Sequence, residues 1–278
     1  MLASSFLKNL RNSIKNGEKG EVEKGKKSKM LGYLNMKQAL ILAAGIGKRL
    51  GNLTKDTPKC LLEIEKDKTL IDFELETLKE NNINEIIIVT GFKRKKLEDS
   101  VIKKWQDFFS FRFIFNERFD EYNNIYSAYL AKDFWDDETI LLNSDIIFHP
   151  KIFTNLKTKN GSFLVIDDTK ELTIEDMKVK INSKGEIKEI SKALDTKASH
   201  GEYIGITCLR GFEREKFLES LEKNVKNKRL DIYYEDALAD ILSEISVYAV
   251  STDGLPWTEV DTLEDYNKAK NILQVTAS

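Results

Sequence analysis

An α/β fold is predicted for this chain: a mixed, mostly parallel sheet flanked by helices, in one domain whose second half is β-rich. Three observations predict it. Continuous apolar runs, of the kind that strands buried on both faces require, recur through the first half of the chain. Segments with apolar residues at helical spacing lie between them, and such alternation implies parallel strands joined by right-handed crossovers. Later, residues 177–181 and 186–190 flank Asn182-Ser183-Lys184-Gly185, a hairpin signal.

Taken in order, residues 1–36 read as a mobile extension ahead of a domain over residues 37–278. Residues 8–29 are basic and almost without apolar side chains, so they bury too little surface to offset chain entropy. Overlapping their start, Leu2, Phe6, Leu7, Leu10 and Ile14 fit one face of a short helix. The first strand is expected over 38–44, ending at Gly45. A helix over 70–81 gathers Leu70, Phe73, Leu75 and Leu78, and Ile86-Ile87-Ile88-Val89 marks a second strand over 85–90. A helix over 93–107 follows, then a third strand in which Phe111, Phe113 and Phe115 alternate, a helix over 123–132 and a fourth strand over 139–143. Beyond the hairpin come a strand over 203–209, helices over 211–224 and 233–245, a short strand over 247–250 and a terminal helix over 261–273. The simplest arrangement folds the second half over the open edge of the first.

Composition narrows the function classes. Charged residues make up 32% of the 278, but their signs nearly cancel to a formal −2, which argues against a nucleic-acid binder with a basic face. No stretch approaches the ~18 apolar residues of a membrane span, and the first residues lack a secretory core and cleavage site, so the expected location is the cytoplasm. Cys60 and Cys208 have no metal-like spacing and read as two reduced thiols.

The chemistry concentrates in a few segments. Leu42-Ala43-Ala44-Gly45-Ile46-Gly47-Lys48-Arg49-Leu50 leads a strand into a glycine loop, followed by Asp56-Thr57-Pro58-Lys59. Such a loop lets backbone N–H groups approach phosphate oxygens, and Arg49 and Lys59 add fixed positive charge. It is not a Walker loop, because no G-x-x-x-x-G-K-[ST] can be drawn. A dinucleotide fingerprint is half matched, with Glu65 downstream of Gly45, but Leu50 stands where glycine or alanine belongs. Asp145 ends the fourth strand, where open α/β sheets place ligand-handling groups, and Asp261 stands in Trp257-Thr258-Glu259-Val260-Asp261. Each has a plain alternative: Asp145 as a turn residue, and Asp261 as the N-cap of the last helix in a capping box with Glu264. In residues 116–130, Asn124 and Ser127 can present donors and acceptors to a pyrimidine edge, while Asn123 fits a helix cap. Tyr233-Tyr234-Glu235-Asp236 offers aromatic faces and carboxylates suited to an ammonium group, or simply starts an amphipathic helix.

The pattern L-A-A-G-x-G-x-R followed by P-K resembles the signature of sugar-phosphate and choline-phosphate nucleotidyltransferases. That resemblance implies a Rossmann-like fold of the nucleotide-diphospho-sugar transferase type over roughly residues 37–273. It implies that Leu42, Ala43, Ala44, Gly45, Gly47 and Lys48 line the nucleotide, and that Asp145 and Asp261 hold a catalytic Mg²⁺. Asn116 to Leu130 looks like the N-x-x-Y-x-x-x-N-N-x-x-S-L stretch of choline-phosphate and aminoethylphosphonate cytidylyltransferases, with Phe119 or Tyr122 for the tyrosine and Ala128 for the leucine. This favours CTP. Ser191-Lys192-Ala193 falls where sugar nucleotidyltransferases carry a glutamate-lysine-proline triplet, so Lys192 is one candidate for the acceptor phosphate and Lys178 its rival. Tyr203, in a segment similar to the strand bordering the family's acceptor pocket, joins Tyr233, Glu235 and Asp236 as an acceptor-site candidate.

The expected partners are CTP or another NTP and a small phosphorylated or phosphonate substrate. Neither nucleic acid nor integral membrane association is expected, and a homodimer is left open. A nucleotide-sugar pyrophosphorylase and a non-catalytic regulatory homologue are the competing readings. An acceptor phosphate with a second pKa of about 6 needs no general base, which suits a chain with two histidines. Lys59 with Mg²⁺ would then stabilise the α-phosphate, while Arg49 and the loop amides hold the departing pyrophosphate.

Overall fold

The structure, a computed structural model, describes residues 36–276, so the extension expected ahead of Met36 lies outside the described residues. Its elements run β1 (Gln38–Ala43), β2 (Glu63–Glu65), β3 (Lys68–Thr69), α1 (Leu70–Glu80), β4 (Glu85–Thr90), α2 (Arg94–Trp105), β5 (Ser110–Phe115), α3 (Asn124–Leu130), β6 (Thr139–Asn143), β7 (Ile146–Phe148) and α4 (Pro150–Leu156). Then follow β8 (Ser162–Asp167), β9 (Lys178–Ile181), β10 (Ile187–Ser191), β11 (Gly201–Cys208), α5 (Gly211–Lys226), α6 (Tyr234–Ala239), β12 (Val247–Ser251), β13 (Trp257–Glu259) and α7 (Leu263–Thr276).

The main sheet has the order β10-β9-β11-β6-β1-β4-β5, with β8 pairing β11 and β12. β1 lies parallel between β4 and β6. The chain leaves β1 in one direction and returns on its other side, which opens a crevice beyond the carboxyl ends of these strands. Period-two alternation divides the strand residues between two cores. Ile41, Ile88 and Leu142 pack with Leu75, Leu78, Leu97 and Val101, while Leu40, Val89 and Leu141 face Ile125, Ala128, Phe217 and Leu221. Truncating one of these buried aliphatic side chains to alanine costs about 2–5 kcal/mol.

The second half lengthens the sheet instead of folding over its edge: β11 joins β6 antiparallel and carries β9 and β10 outward. Three further expectations are corrected. The helix expected over 233–245 ends at Ala239; turns beyond it still bury Ile241, Leu242 and Ile245, which preserves helical-looking spacing without a helix. The last helix is capped by Thr262, not Asp261. Thr262 Oγ1 accepts from Asp265 N, and Asp265 Oδ2 accepts from Thr262 N at 2.8 Å, so Glu264 has no part in the box.

Lys178, expected at the acceptor phosphate, is fully buried away from the cleft. Its Nζ donates to the carbonyls of Thr173, Ile174 and Asp176 at 3.0–3.2 Å, pinning the loop before β9. Lys178→Met leaves these carbonyls without a donor and should lower stability by about 2 kcal/mol. Urea unfolding measures this; a stable variant with abolished turnover would return Lys178 to the chemistry.

Candidate active site

β1 is apolar throughout because both its faces are covered, and it stops where glycine permits a sharp turn. Gly47 has φ +70°, and a Cβ there would lie 3.1 Å from the Cβ of Lys59, so the loop demands glycine on both counts. Thr54 Oγ1 donates to the Gly47 carbonyl at 2.8 Å and fixes the loop. Arg49 and Lys59 reach the crevice from the short 3₁₀ turns that follow.

The opposite wall is set by a two-stranded sheet. β7 begins directly after Asp145 and pairs antiparallel with β13, with Glu259 opposite Ile146. Val260 N donates to the Asp145 carbonyl at 2.8 Å, which brings Asp261 alongside Asp145. Glu259, the last residue of β13, and Asp261, two residues beyond it, both line the crevice. Ligand atoms of Asp145, Glu259 and Asp261 all lie within 4.8 Å of one another, a group able to hold a metal ion.

Lys59 Nζ sits between the two aspartates, 2.5 Å from Asp145 Oδ2 and 2.8 Å from Asp261 Oδ1, and Arg49 pairs with Asp261 Oδ2. Burial alone would lower the Lys59 ammonium; the charges of Asp145 and Asp261 outweigh it and raise it. Burial would likewise raise Asp261, but Lys59 and then Arg49 hold its carboxyl below the usual range. Glu259 stands open to the cleft as a side chain, yet its carboxyl end lies among protein atoms. That desolvation, then the charges of Asp145 and Asp261, push it well above the ordinary value. Asp145 Oδ1 is buried, with no hydrogen-bond partner among the described residues.

These groups line one cavity of about 440 Å³. Leu42, Ala43, Ala44, Gly45, Gly47, Lys48, Arg49, Lys59, Asn124, Ser127, Asp145, Lys192, Tyr203, Tyr233, Glu235 and Asp261, all singled out in the sequence, border it. Asn124 Oδ1 accepts from Tyr234 N at 2.9 Å, and Asn123 caps α3. Asp236 is a correction: its carboxylate accepts from Tyr233 N at 2.8 Å, closes a capping box on α6 and does not reach the cavity.

At the far end, Lys192 Nζ lies 5.2 Å from the Tyr233 ring centroid. Glu235 is 4% exposed, and its Oε2 has no hydrogen-bond partner among the described residues. Burial first, with the charge of Asp236 adding, pushes its carboxyl up to about 7. Residues missed as site candidates are Asn116, whose Nδ2 donates to Ser127 Oγ at 3.0 Å, and Glu259 and Asn143. For Glu259 the signal was present, because it stands two residues from Asp261 in a strand-like run.

A glycine loop facing a carboxylate cluster across a switch-point crevice defines a nucleotide-handling α/β enzyme. Residues 38–275 match the family described as nucleotidyl transferase, and the chain belongs to it. It is 30% identical over 244 residues to a choline-phosphate cytidylyltransferase of Streptococcus pneumoniae, covering 85% of this chain and 98% of that one. It is 31% identical over 251 residues to a CTP:phosphoglutamine cytidylyltransferase of Campylobacter jejuni, covering 82% and 96%. A solved structure of CTP:phosphocholine cytidylyltransferase from Streptococcus pneumoniae superposes with a TM-score of 0.71 at 29% identity, covering 85% of this chain and 98% of that chain. The chain is therefore a nucleotidyltransferase with the nucleotide-diphospho-sugar transferase type of fold. Among the described residues no helix is long and apolar enough to cross a membrane.

Proposed function

We propose that the protein transfers CMP from CTP to a small phosphorylated or phosphonate substrate bearing a cationic nitrogen, of the phosphocholine or 2-aminoethylphosphonate kind, and releases pyrophosphate. The observation that carries this choice of acceptor is Glu235: a buried carboxyl, one oxygen unpartnered, bordering the cavity beside the Tyr233 ring. A quaternary or primary ammonium supplies the charge that this oxygen lacks and an aromatic face accepts. The names of the relatives favour CTP, as does the amide-rich stretch through Asn124 and Ser127.

Mg²⁺ fits the carboxylate cluster, since it takes oxygen ligands and Asp145 Oδ1 is buried and free. Asp145 and Asp261 would hold it, with Glu259 beside them. Its chemistry is to neutralise phosphate charge. Lys59 would stabilise the α-phosphate as the bond to the acceptor oxygen forms, and Arg49 with the loop amides would hold the pyrophosphate as its bond breaks. Lys192 would orient the acceptor phosphate.

A second reading, a nucleotide-sugar pyrophosphorylase, draws on the amides of Asn116, Asn123 and Asn143 in the same cavity, which suit sugar hydroxyls. The test is kcat/KM for phosphocholine, aminoethylphosphonate, phosphoglutamine, inositol 1-phosphate and glucose 1-phosphate, each with CTP and with UTP. Phosphocholine or the phosphonate with CTP should lead; glucose 1-phosphate with UTP in first place would install the second reading.

Glu235 gives a pH prediction. Its folded value lies above the ordinary 4.5, so its stabilising contribution is complete below 4.5 and lost as pH rises through about 7. Over the same rise the carboxylate forms, so choline, which does not itself ionise, should inhibit more strongly above pH 7 than below it. In Glu235→Gln that step should vanish and stability should become flatter across the window. A variant that keeps the step places the titrating group elsewhere.

A further inference from the structure

We propose that Asn143 is an acceptor-binding residue whose side-chain amide donates to a non-attacking oxygen of the acceptor's phosphate or phosphonate group. Three hydroxyls build up to this amide from inside the protein. Thr207 Oγ1 lies 2.5 Å from the Tyr203 hydroxyl, which lies 2.7 Å from the Tyr234 hydroxyl, which donates to Asn143 Oδ1 at 3.2 Å. With Tyr234 donating outward, Tyr203 donates to Tyr234 and Thr207 donates to Tyr203, so one consistent direction runs along the chain. Burial raises both phenols, which keeps them protonated and able to donate. The oxygen of the amide is thereby fixed inward, and its nitrogen is the end left for a ligand.

The opposite strand is shaped to leave that nitrogen room. β11 shifts register against β8 between Tyr203 and Thr207, and within that stretch Gly205, next to Asn143 across the β6 pairing, has φ +89°. A Cβ on Gly205 would stand 2.8 Å from Asn143 Nδ2. Among the described residues no hydrogen-bond partner meets Nδ2, and Asn143 is one of the residues that line the cavity. Asn143 ends β6 two residues before Asp145, with Tyr203 and Tyr234 behind it. It therefore stands between the carboxylate cluster and the acceptor end of the cavity, where the acceptor oxygen must meet the α-phosphorus. A neutral donor suits this position. It orients an anionic phosphate without the charge that would dull the attacking oxygen.

The inference rests on nucleotidyl transfer occurring in this cavity, so the test uses whichever acceptor the wild-type enzyme turns over fastest; a different headgroup or base leaves it intact. Asn143→Ala should raise the acceptor KM about 10- to 100-fold, the loss of one hydrogen bond to a charged group. The Kd for CTP, measured separately by equilibrium dialysis, should stay within about twofold and also reports that the variant is folded. Asn143→Asp should be worse than alanine, because its carboxylate still accepts from Tyr234 but repels the phosphate. A merely structural role predicts the reverse order, since aspartate preserves the shape and the buried contact. Tyr234→Phe, which frees the amide to rotate, should raise the acceptor KM in the same direction by less. An acceptor KM unmoved in Asn143→Ala, a CTP Kd rising in parallel with it, or aspartate outperforming alanine would each overturn the assignment.

Discussion

Lys59→Ala is expected to lose about 10²–10³ in kcat, the effect of removing one preorganised charge-stabilising group. Among the described residues Lys59 is the one cation in contact with both Asp145 and Asp261. Its loss removes charge from the α-phosphate and also leaves two carboxylates facing each other. The second consequence has a pH signature. Asp261 is held below its ordinary range partly by Lys59, so its stabilising contribution is present above its unfolded value of 3.8 and is lost as pH falls through the folded one. In the variant that contribution shrinks, so the stability deficit should be largest near neutrality and fade in acid. Lys59→Arg should rescue poorly, because a planar guanidinium does not fit between two carboxylates set for a compact ammonium. Steady-state kinetics beside urea unfolding at several pH values decides this; an alanine variant with most of its turnover removes Lys59 from the chemistry.

Asp145→Asn should shift the Mg²⁺ requirement upward by at least about tenfold while leaving the fold in place, since the amide keeps the shape but not the charge. Among the described residues its Oδ1 has no hydrogen-bond partner to lose. Asp261→Asn should be equally severe. The last helix takes its cap from Thr262 and Asp265, so that cap does not depend on the Asp261 side chain, whereas Arg49 and Lys59 both pair with it. Titrating activity with Mg²⁺, and Mn²⁺ binding by electron paramagnetic resonance in the presence of CTP, provide the readings. Wild-type turnover that survives a chelator would sink the metal assignment.

Long apolar strands were legible because burial on both faces leaves a continuous run; β1, β4 and β6 carry that mark. β7 and β13 carry no such mark: three residues are too few for a period, and their pairing joins segments far apart in the chain. The glycine loop was legible through residues that backbone geometry demands. Lys178 misled because a lysine near a cleft reads as a ligand for phosphate, and only tertiary structure reveals carbonyls gathered around it. Asp236 misled for a similar reason, since a carboxylate three residues into a helix start serves the backbone before it serves a ligand. Asn143 left no signal at all; its orientation comes from two tyrosines and a glycine on other elements.

The pairing of β13 with β7 also determines when the site comes into being. Arg49 and Lys59 meet Asp261 across 212 and 202 residues of chain, and contacts of such separation form late. A growing chain has its glycine loop in hand first and Asp145 next, while Asp261 follows both. Until then Lys59 has one carboxylate to answer to, and no second arm closes over the phosphates. In refolding, the sheet should therefore regain its circular dichroism ahead of catalysis, with the lag measuring how long the last hairpin-like closure takes to find β7.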